Sequence, residues 1–188
     1  LEYGRMNNIN PLGPAANRIS LIKDNVLNVT DPSAEIIAAT NFSWWGFHCK
    51  EVLKKYFISS LESLTENGML MLDIFGGPES QVVQFEETEY DNFTYIWDQN
   101  SFNPITHRYN CKIHFHFPDG SKLENAFDYD WRIWTIPETR DLLLESGFKR
   151  VVIYWEGTDQ DGNPNDNFQP SLTGDLAPAW VAYIVAFK

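Results

Sequence analysis

Cysteine is nearly missing from this sequence: Cys49 and Cys111 are its only thiols. They supply no disulfide framework, and no spacing resembles a zinc site, so the fold must rest on its own core. Basic residues are scarce as well. The chain has 14 Lys and Arg against 26 Asp and Glu, a formal net charge of −12, and the cations are scattered. Binding to nucleic acid needs clustered positive charge to displace counterions from phosphates, so no nucleic-acid partner is expected. Long apolar runs are missing too: nothing approaches the ~18–20 residues of a membrane-crossing helix. The first residues also lack the basic-then-apolar pattern of a secretion signal. The expectation is a cytoplasmic protein with no membrane partner, acting on a small molecule or a basic partner.

Apolar and aromatic side chains are plentiful. Of 188 residues, 43% are hydrophobic and 15% aromatic, including 7 Trp, enough for one domain with a sizeable core. The stretch Ile36–Phe47, Ile-Ile-Ala-Ala-Thr-Asn-Phe-Ser-Trp-Trp-Gly-Phe, organises the rest. Small and β-branched residues run into a polar turn, and a helical pattern follows, reading as a buried strand, a loop and a helix. Ligands of open α/β sheets sit outside the carboxyl ends of the strands, which puts Asn41, Phe42, Ser43, Trp44 and Trp45 where a ligand is handled.

In chain order, Leu1–Asn8 reads as the end of a helix, Asn10–Pro14 as a loop and Arg18–Ile22 as a short strand before a polar turn at Asp24-Asn25. Val52, Leu53, Tyr56, Phe57, Leu61 and Leu64 share one face of a helix over Glu51–Leu64. Gly68 follows its end. Met69–Phe75 is an apolar run broken only by Asp73, as in a central strand, and exits into Gly76-Gly77-Pro78. Phe93–Trp134 alternates around turn signals. Ile113, Phe115 and Phe117 alternate with His114 and His116, and Phe127, Tyr129, Trp131 and Ile133 alternate with Asp128, Asp130, Arg132 and Trp134. Thr135-Ile-Pro-Glu138 is a capping box opening a helix that stops at Gly147. Val151–Trp155 reads as a strand, Glu156–Pro178 as a long loop and Trp180–Phe187 as a final strand.

This succession resembles the later two-thirds of a class I S-adenosylmethionine-dependent methyltransferase domain, entered after its second strand. The resemblance rests on Asp24-Asn25-Val26, the Asn41-Phe42-Ser43 exit, the helix Glu51–Leu64, Gly68, Gly147-Phe148 and Trp180–Phe187. It implies an α/β fold: a Rossmann-like, mostly parallel sheet with an antiparallel last strand, and an antiparallel β insertion over 93–134 after the fifth strand, all in one domain of residues 1–188. It further implies S-adenosylmethionine as cofactor and a small-molecule methyl acceptor. The family's glycine-rich loop and its ribose-holding acidic residue would fall before Leu1. A chain starting at Leu1 is therefore expected to be N-terminally incomplete and inactive alone.

The resemblance also assigns residues. Asn25 and Val26 fall at the adenine end of the cofactor, where Asn25 either accepts from the adenine amino group or merely stabilises a turn. Asn41 faces the sulfonium, with Phe42 and Ser43 beside it, or caps a loop. Trp44 and Trp45 either wall a cation or belong to the core. Within the insertion, Trp97 and Arg132 are candidates for acceptor binding, Arg132 gripping a carboxylate or pairing with Asp128 or Asp130. Asn41–Trp44 lacks the two prolines of the Asn-Pro-Pro-aromatic motif, which argues against methylation of a nucleic-acid base. His114 and His116 have no third ligand at metal spacing and read as a solvated strand face. Methyl transfer is an in-line displacement promoted by alignment and desolvation; where a base is needed, His48 and His107 are the nominees. Two further readings stand. One is a non-catalytic binding module; the other is a nucleotide-dependent reductase, which the antiparallel last strand opposes.

Overall fold

The computed structural model describes residues 1–188. The chain opens on a helical turn, α1 (Glu2–Gly4), continuing as a π-helical turn over Arg5–Ile9 and 3-10 turns over Asn10–Arg18 that kink at Gly13. The Asn10–Pro14 stretch is thus helical either side of a kink rather than a loop. No strand forms over Arg18–Ile22. Ile19 and Ile22 are 40% and 53% exposed, so the stretch buries little and joins no ladder.

The anchor stretch folds as expected. Strand β1 (Ala34–Ala39) leads through a 3-10 turn (Ser43–Gly46) into helix α2 (Lys50–Ser63), which passes directly into strand β2 (Leu64–Gly76). The helix buries Leu53, Tyr56 and Phe57 on the expected face. Its last turn is tied down by Lys188, whose Nζ donates to the Leu61 and Leu64 carbonyls at 2.7 and 2.6 Å. A cation there also suits the negative end of the helix dipole.

Four strands follow, β3 (Gln84–Tyr90), β4 (Phe93–Phe102), β5 (Arg108–His116) and β6 (Lys122–Arg132). Then come helix α3 (Ile136–Glu145) and strands β7 (Arg150–Thr158), β8 (Pro164–Ser171) and β9 (Trp180–Phe187). The main sheet has five strands in the order β1-β2-β9-β7-β8. Only β1 and β2 pair in parallel; β9 is antiparallel to both β2 and β7, and β8 is antiparallel to β7. The expected mostly parallel sheet is therefore corrected. The chain reaches β9 with no crossover helix, and a strand returning that way runs antiparallel to its neighbours. The segment read as a long loop over Glu156–Pro178 contains β8, hairpinned on β7. Even so, β1, β2 and β7 point the same way, and their carboxyl ends share one edge.

The second sheet has four antiparallel strands, β3-β4-β5-β6. It begins at Gln84, ahead of the expected 93, because β3 alternates polar with polar and shows no apolar period. Across one face the register aligns Glu86, Trp97, Ile113 and Phe127, then Gln99, Cys111 and Tyr129, then Tyr109 and Trp131. On the other face His114 is buried, correcting the expected solvated pair of histidines. A bulge between Ile113 and Phe115 brings the Asn125 N–H to 3.0 Å from His114 Nδ1, while Asp98 and Glu124 flank the ring.

Candidate active site at the carboxyl edge

Beyond β1, Asn41 and Phe42 both adopt left-handed backbone conformations (φ 57° and 53°). Two consecutive residues with side chains there are costly and need external support. Asp73 supplies it: Phe42 N–H donates to Asp73 Oδ1 at 2.9 Å, and Trp44 Nε1–H donates to the Asp73 carbonyl at 2.8 Å. This accounts for the one acidic residue in the apolar run of β2. Burial pushes the Asp73 carboxyl above the ordinary value, and the Phe42 and Asn41 N–H groups draw it part of the way back. The bend leaves the Asn41 and Ser43 side chains exposed at the edge.

The tryptophans that follow lie in the core. Trp44 and Trp45 are 1% and 0% exposed, so neither walls a ligand in this structure. Trp45 is instead the joint between the sheets, its ring centroid 4.6 Å from Phe75, 5.6 Å from Phe42 and 6.0 Å from Trp131. Hydrogen bonds reinforce the joint. Trp134 Nε1–H donates to the Phe47 carbonyl at 3.0 Å, Arg132 Nη1–H to the His48 carbonyl at 3.0 Å, and His48 Nε2–H to the Asp130 carbonyl at 2.7 Å.

Arg132 is committed elsewhere than to a substrate carboxylate. Its guanidinium lies 3.7 Å over the Trp134 ring, with Glu138 at 3.5 Å. The expected intra-face partners are taken by others: Arg108 pairs with Asp130, and Asn110 Nδ2 donates to Asp128 at 2.6 Å. His107 Nδ1–H donates to the Ile133 carbonyl at 3.3 Å, so neither nominated base has a free orientation.

Asn25 and Val26 lie at a turn ahead of β1. Asn25 Oδ1 accepts the Leu27 N–H at 3.0 Å, a local turn bond, while Ser59 and Ser63 on α2 donate to the Val29 carbonyl at 3.3 and 2.8 Å. No hydrogen bond or ring contact joins Asn25 or Val26 to Asn41, Phe42 or Ser43. Trp97 lies half-buried on the aromatic face of the second sheet, its Nε1–H donating to Gln99 Oε1 at 3.4 Å.

Between the carboxyl end of β2 and the second sheet opens a cleft of about 210 Å³, walled by Phe75 and Trp180 and lined by Glu79, Gln84, Glu86 and Glu156. Sequence reasoning passed over these residues, although Gly76-Gly77 marked the place. A Cβ on Gly76 would collide with the Trp180 indole, and Gly77 (φ 101°) turns where a Cβ would meet the Pro178 carbonyl. Gln99 fixes the far wall, its Nε2 donating to the Glu79 and Val82 carbonyls at 2.9 and 2.7 Å. A larger cavity of about 370 Å³ lies near the start of β7, between α3 and β8. It is away from the carboxyl edge, where α/β sheets handle ligands, so the smaller cleft is the better candidate.

The fold these elements define is that of the S-adenosylmethionine-dependent methyltransferases. The chain superposes on such a methyltransferase from Clostridium acetobutylicum with a TM-score of 0.61 at 14% identity, over 88% of this chain and 63% of that one. For the CcbJ methyltransferase from Streptomyces caelestis the TM-score is 0.62 at 11% identity, over 93% and 66%. For Streptomyces venezuelae DesVI it is 0.60 at 14%, over 93% and 69%. The chain thus spans less than two thirds of the first two proteins. No family model and no curated protein matches the sequence.

Proposed function

We propose that this chain is the greater part of an S-adenosylmethionine-dependent methyltransferase that acts on a small-molecule acceptor. The observation carrying this reading is the strand order β1-β2-β9-β7 with β9 antiparallel between β2 and β7. A reductase on a doubly wound sheet needs parallel crossovers at that position. The methyltransferase structures of similar fold add support.

The residues present fit the cofactor in part. Asn41 and Ser43 offer exposed polar side chains at the carboxyl edge, on a bend that Asp73 holds rigid, which suits the polar methionine end. Asn25 already spends an oxygen lone pair on Leu27, leaving its amide hydrogens for an adenine acceptor atom. When bound, S-adenosylmethionine supplies an electrophilic methyl group. The chain's own part is to position the acceptor in the adjoining cleft and to exclude water from it. Against the second reading, a non-catalytic module, the test is calorimetric titration of S-adenosylhomocysteine into the natural gene product containing this chain. Micromolar binding, about −8 kcal/mol, is expected. No heat of binding would leave the non-catalytic module.

A further inference from the structure

His114 and His116, neighbours on one face of β5, belong to a row of side chains that the carboxyl edge does not use. Asp98 Oδ2 lies 3.4 Å from His114 Nε2, Glu124 Oε2 lies 2.7 Å from His114 Nδ1, and Glu124 Oε1 lies 3.1 Å from His116 Nε2. His114 and Asp98 are 8% and 5% exposed, and Asp98 Oδ1 has no hydrogen-bond partner. A buried carboxylate with one oxygen unpaired is costly, and a positive charge on the neighbouring ring offsets that cost.

One nitrogen of that ring has two partners with opposite demands. The Asn125 N–H reaches His114 Nδ1 at 3.0 Å and needs a lone pair there. Ionised Glu124, 2.7 Å from the same nitrogen, needs a proton there. The two demands exclude each other. A neutral ring that accepts from Asn125 leaves Glu124 facing a lone pair, and a ring protonated at Nδ1 leaves the Asn125 N–H facing another N–H. The hydrogen bond from His116 holds the Glu124 carboxyl below its ordinary value, so Glu124 stays ionised across about pH 5 to 8, the range in which imidazoles change charge.

The backbone at this point is free to respond. Glu124, Asn125 and Ala126 form the bulge between the pairs Ile113 with Phe127 and Phe115 with Leu123. Asn125 is left-handed at φ 52° and exposed, so its N–H meets water once released. The other charged side chains near the ring on this face are Glu87 and Glu89 of β3, Lys112 of β5, and Lys122 and Asp128 of β6. His114 forms ion pairs with none of them, only with Asp98 and Glu124.

We propose that this bulge is a proton-operated switch in the second sheet. A proton taken from water at His114 Nδ1 breaks the hydrogen bond from the Asn125 N–H and makes one from Nδ1–H to Glu124. Nε2–H faces Asp98 in both states and carries a full positive charge toward it only in the second. Acidification therefore loosens the backbone at Asn125 and the outer end of the β5–β6 hairpin beyond it. The switch does not depend on the methyltransferase reading.

The test follows the Asn125 backbone amide and the His114 ring nitrogens by nuclear magnetic resonance in the ¹⁵N-labelled natural gene product containing this chain, from about pH 8 to about pH 5. The Asn125 signal is expected to move in one step with protonation of Nδ1. Its hydrogen exchange, corrected for pH, is expected to quicken about tenfold across that step. Glu124→Gln removes the partner that needs the proton and is expected to shift the step by about one pH unit toward acid. His116→Gln is expected to leave the step coupled to His114. An Asn125 signal that stays in place while Nδ1 gains its proton overturns the proposal, as does an Nδ1 whose protonation is the same throughout the range. So does a step that is unmoved in Glu124→Gln or that disappears in His116→Gln.

Discussion

Asp73 shows how one side chain serves fold and site together. Its folded-state affinity for a proton is raised, so above the ordinary carboxylate range the folded chain holds this proton more tightly than the unfolded chain does. Its contribution to stability is therefore full at low pH and is lost as pH rises through the raised value. Asp73→Asn keeps an oxygen to accept from Phe42 but carries no charge. The difference in melting temperature between wild type and Asp73→Asn is expected to grow in the variant's favour from about pH 4 to pH 7. Parallel melting curves across that range would show that the carboxyl is not perturbed. Asp73→Ala removes the acceptor outright and is expected to cost about 1–3 kcal/mol. The sequence marked Asp73 as an oddity, because an acidic residue inside an apolar run stands out. Its partner bend was invisible, since nothing in Asn-Phe announces two left-handed residues. Trp45 and Arg132 mislead for the opposite reason: aromatic and guanidinium groups serve ligands and joints equally well, and only packing separates the uses.

At the scale of elements, local chemistry was legible and partnership was not. Helix α3 was legible because its signals are side-chain bonds within one turn: Glu138 N–H donates to Thr135 Oγ1 at 3.3 Å, and Thr135 N–H donates to Glu138 Oε2 at 2.9 Å. Thr135→Ala is expected to cost about 1 kcal/mol, lowering the melting temperature by roughly 2–4 °C in a scanning calorimeter. An unchanged melting temperature would mean that packing of Leu142 and Leu143, not the cap, sets the helix. By contrast β3 and β8 escaped notice. Gln-Phe-Glu-Glu-Thr-Glu-Tyr and Pro-Asn-Asp-Asn-Phe-Gln-Pro-Ser carry no apolar alternation, and both are strands because β4 and β7 offer them ladders. Strand direction was hidden for the same reason, since the placement of β9 between β2 and β7 is a property of the sheet.

For the molecule as a whole, composition predicted a core, and the core is there as a single cluster running from α2 and α3 through the main sheet to Tyr109 and Trp131 of the second sheet. One consequence concerns the outer side of β1. Within residues 1–188 it is the terminal strand of its sheet, its far ladder is unpaired, and Ile36 is 55% exposed. Such an edge is a template for strand addition by a neighbouring chain, and Glu35 is the only charge along it. Light scattering at rising concentration is expected to show self-association of a polypeptide of residues 1–188 alone and markedly less of it in Ile36→Lys, at unchanged melting temperature. Equal scattering from both would place the sticky surface elsewhere. The strand that leads the chain to its candidate active site is thus also where a concentrated solution of residues 1–188 on their own would begin to gel.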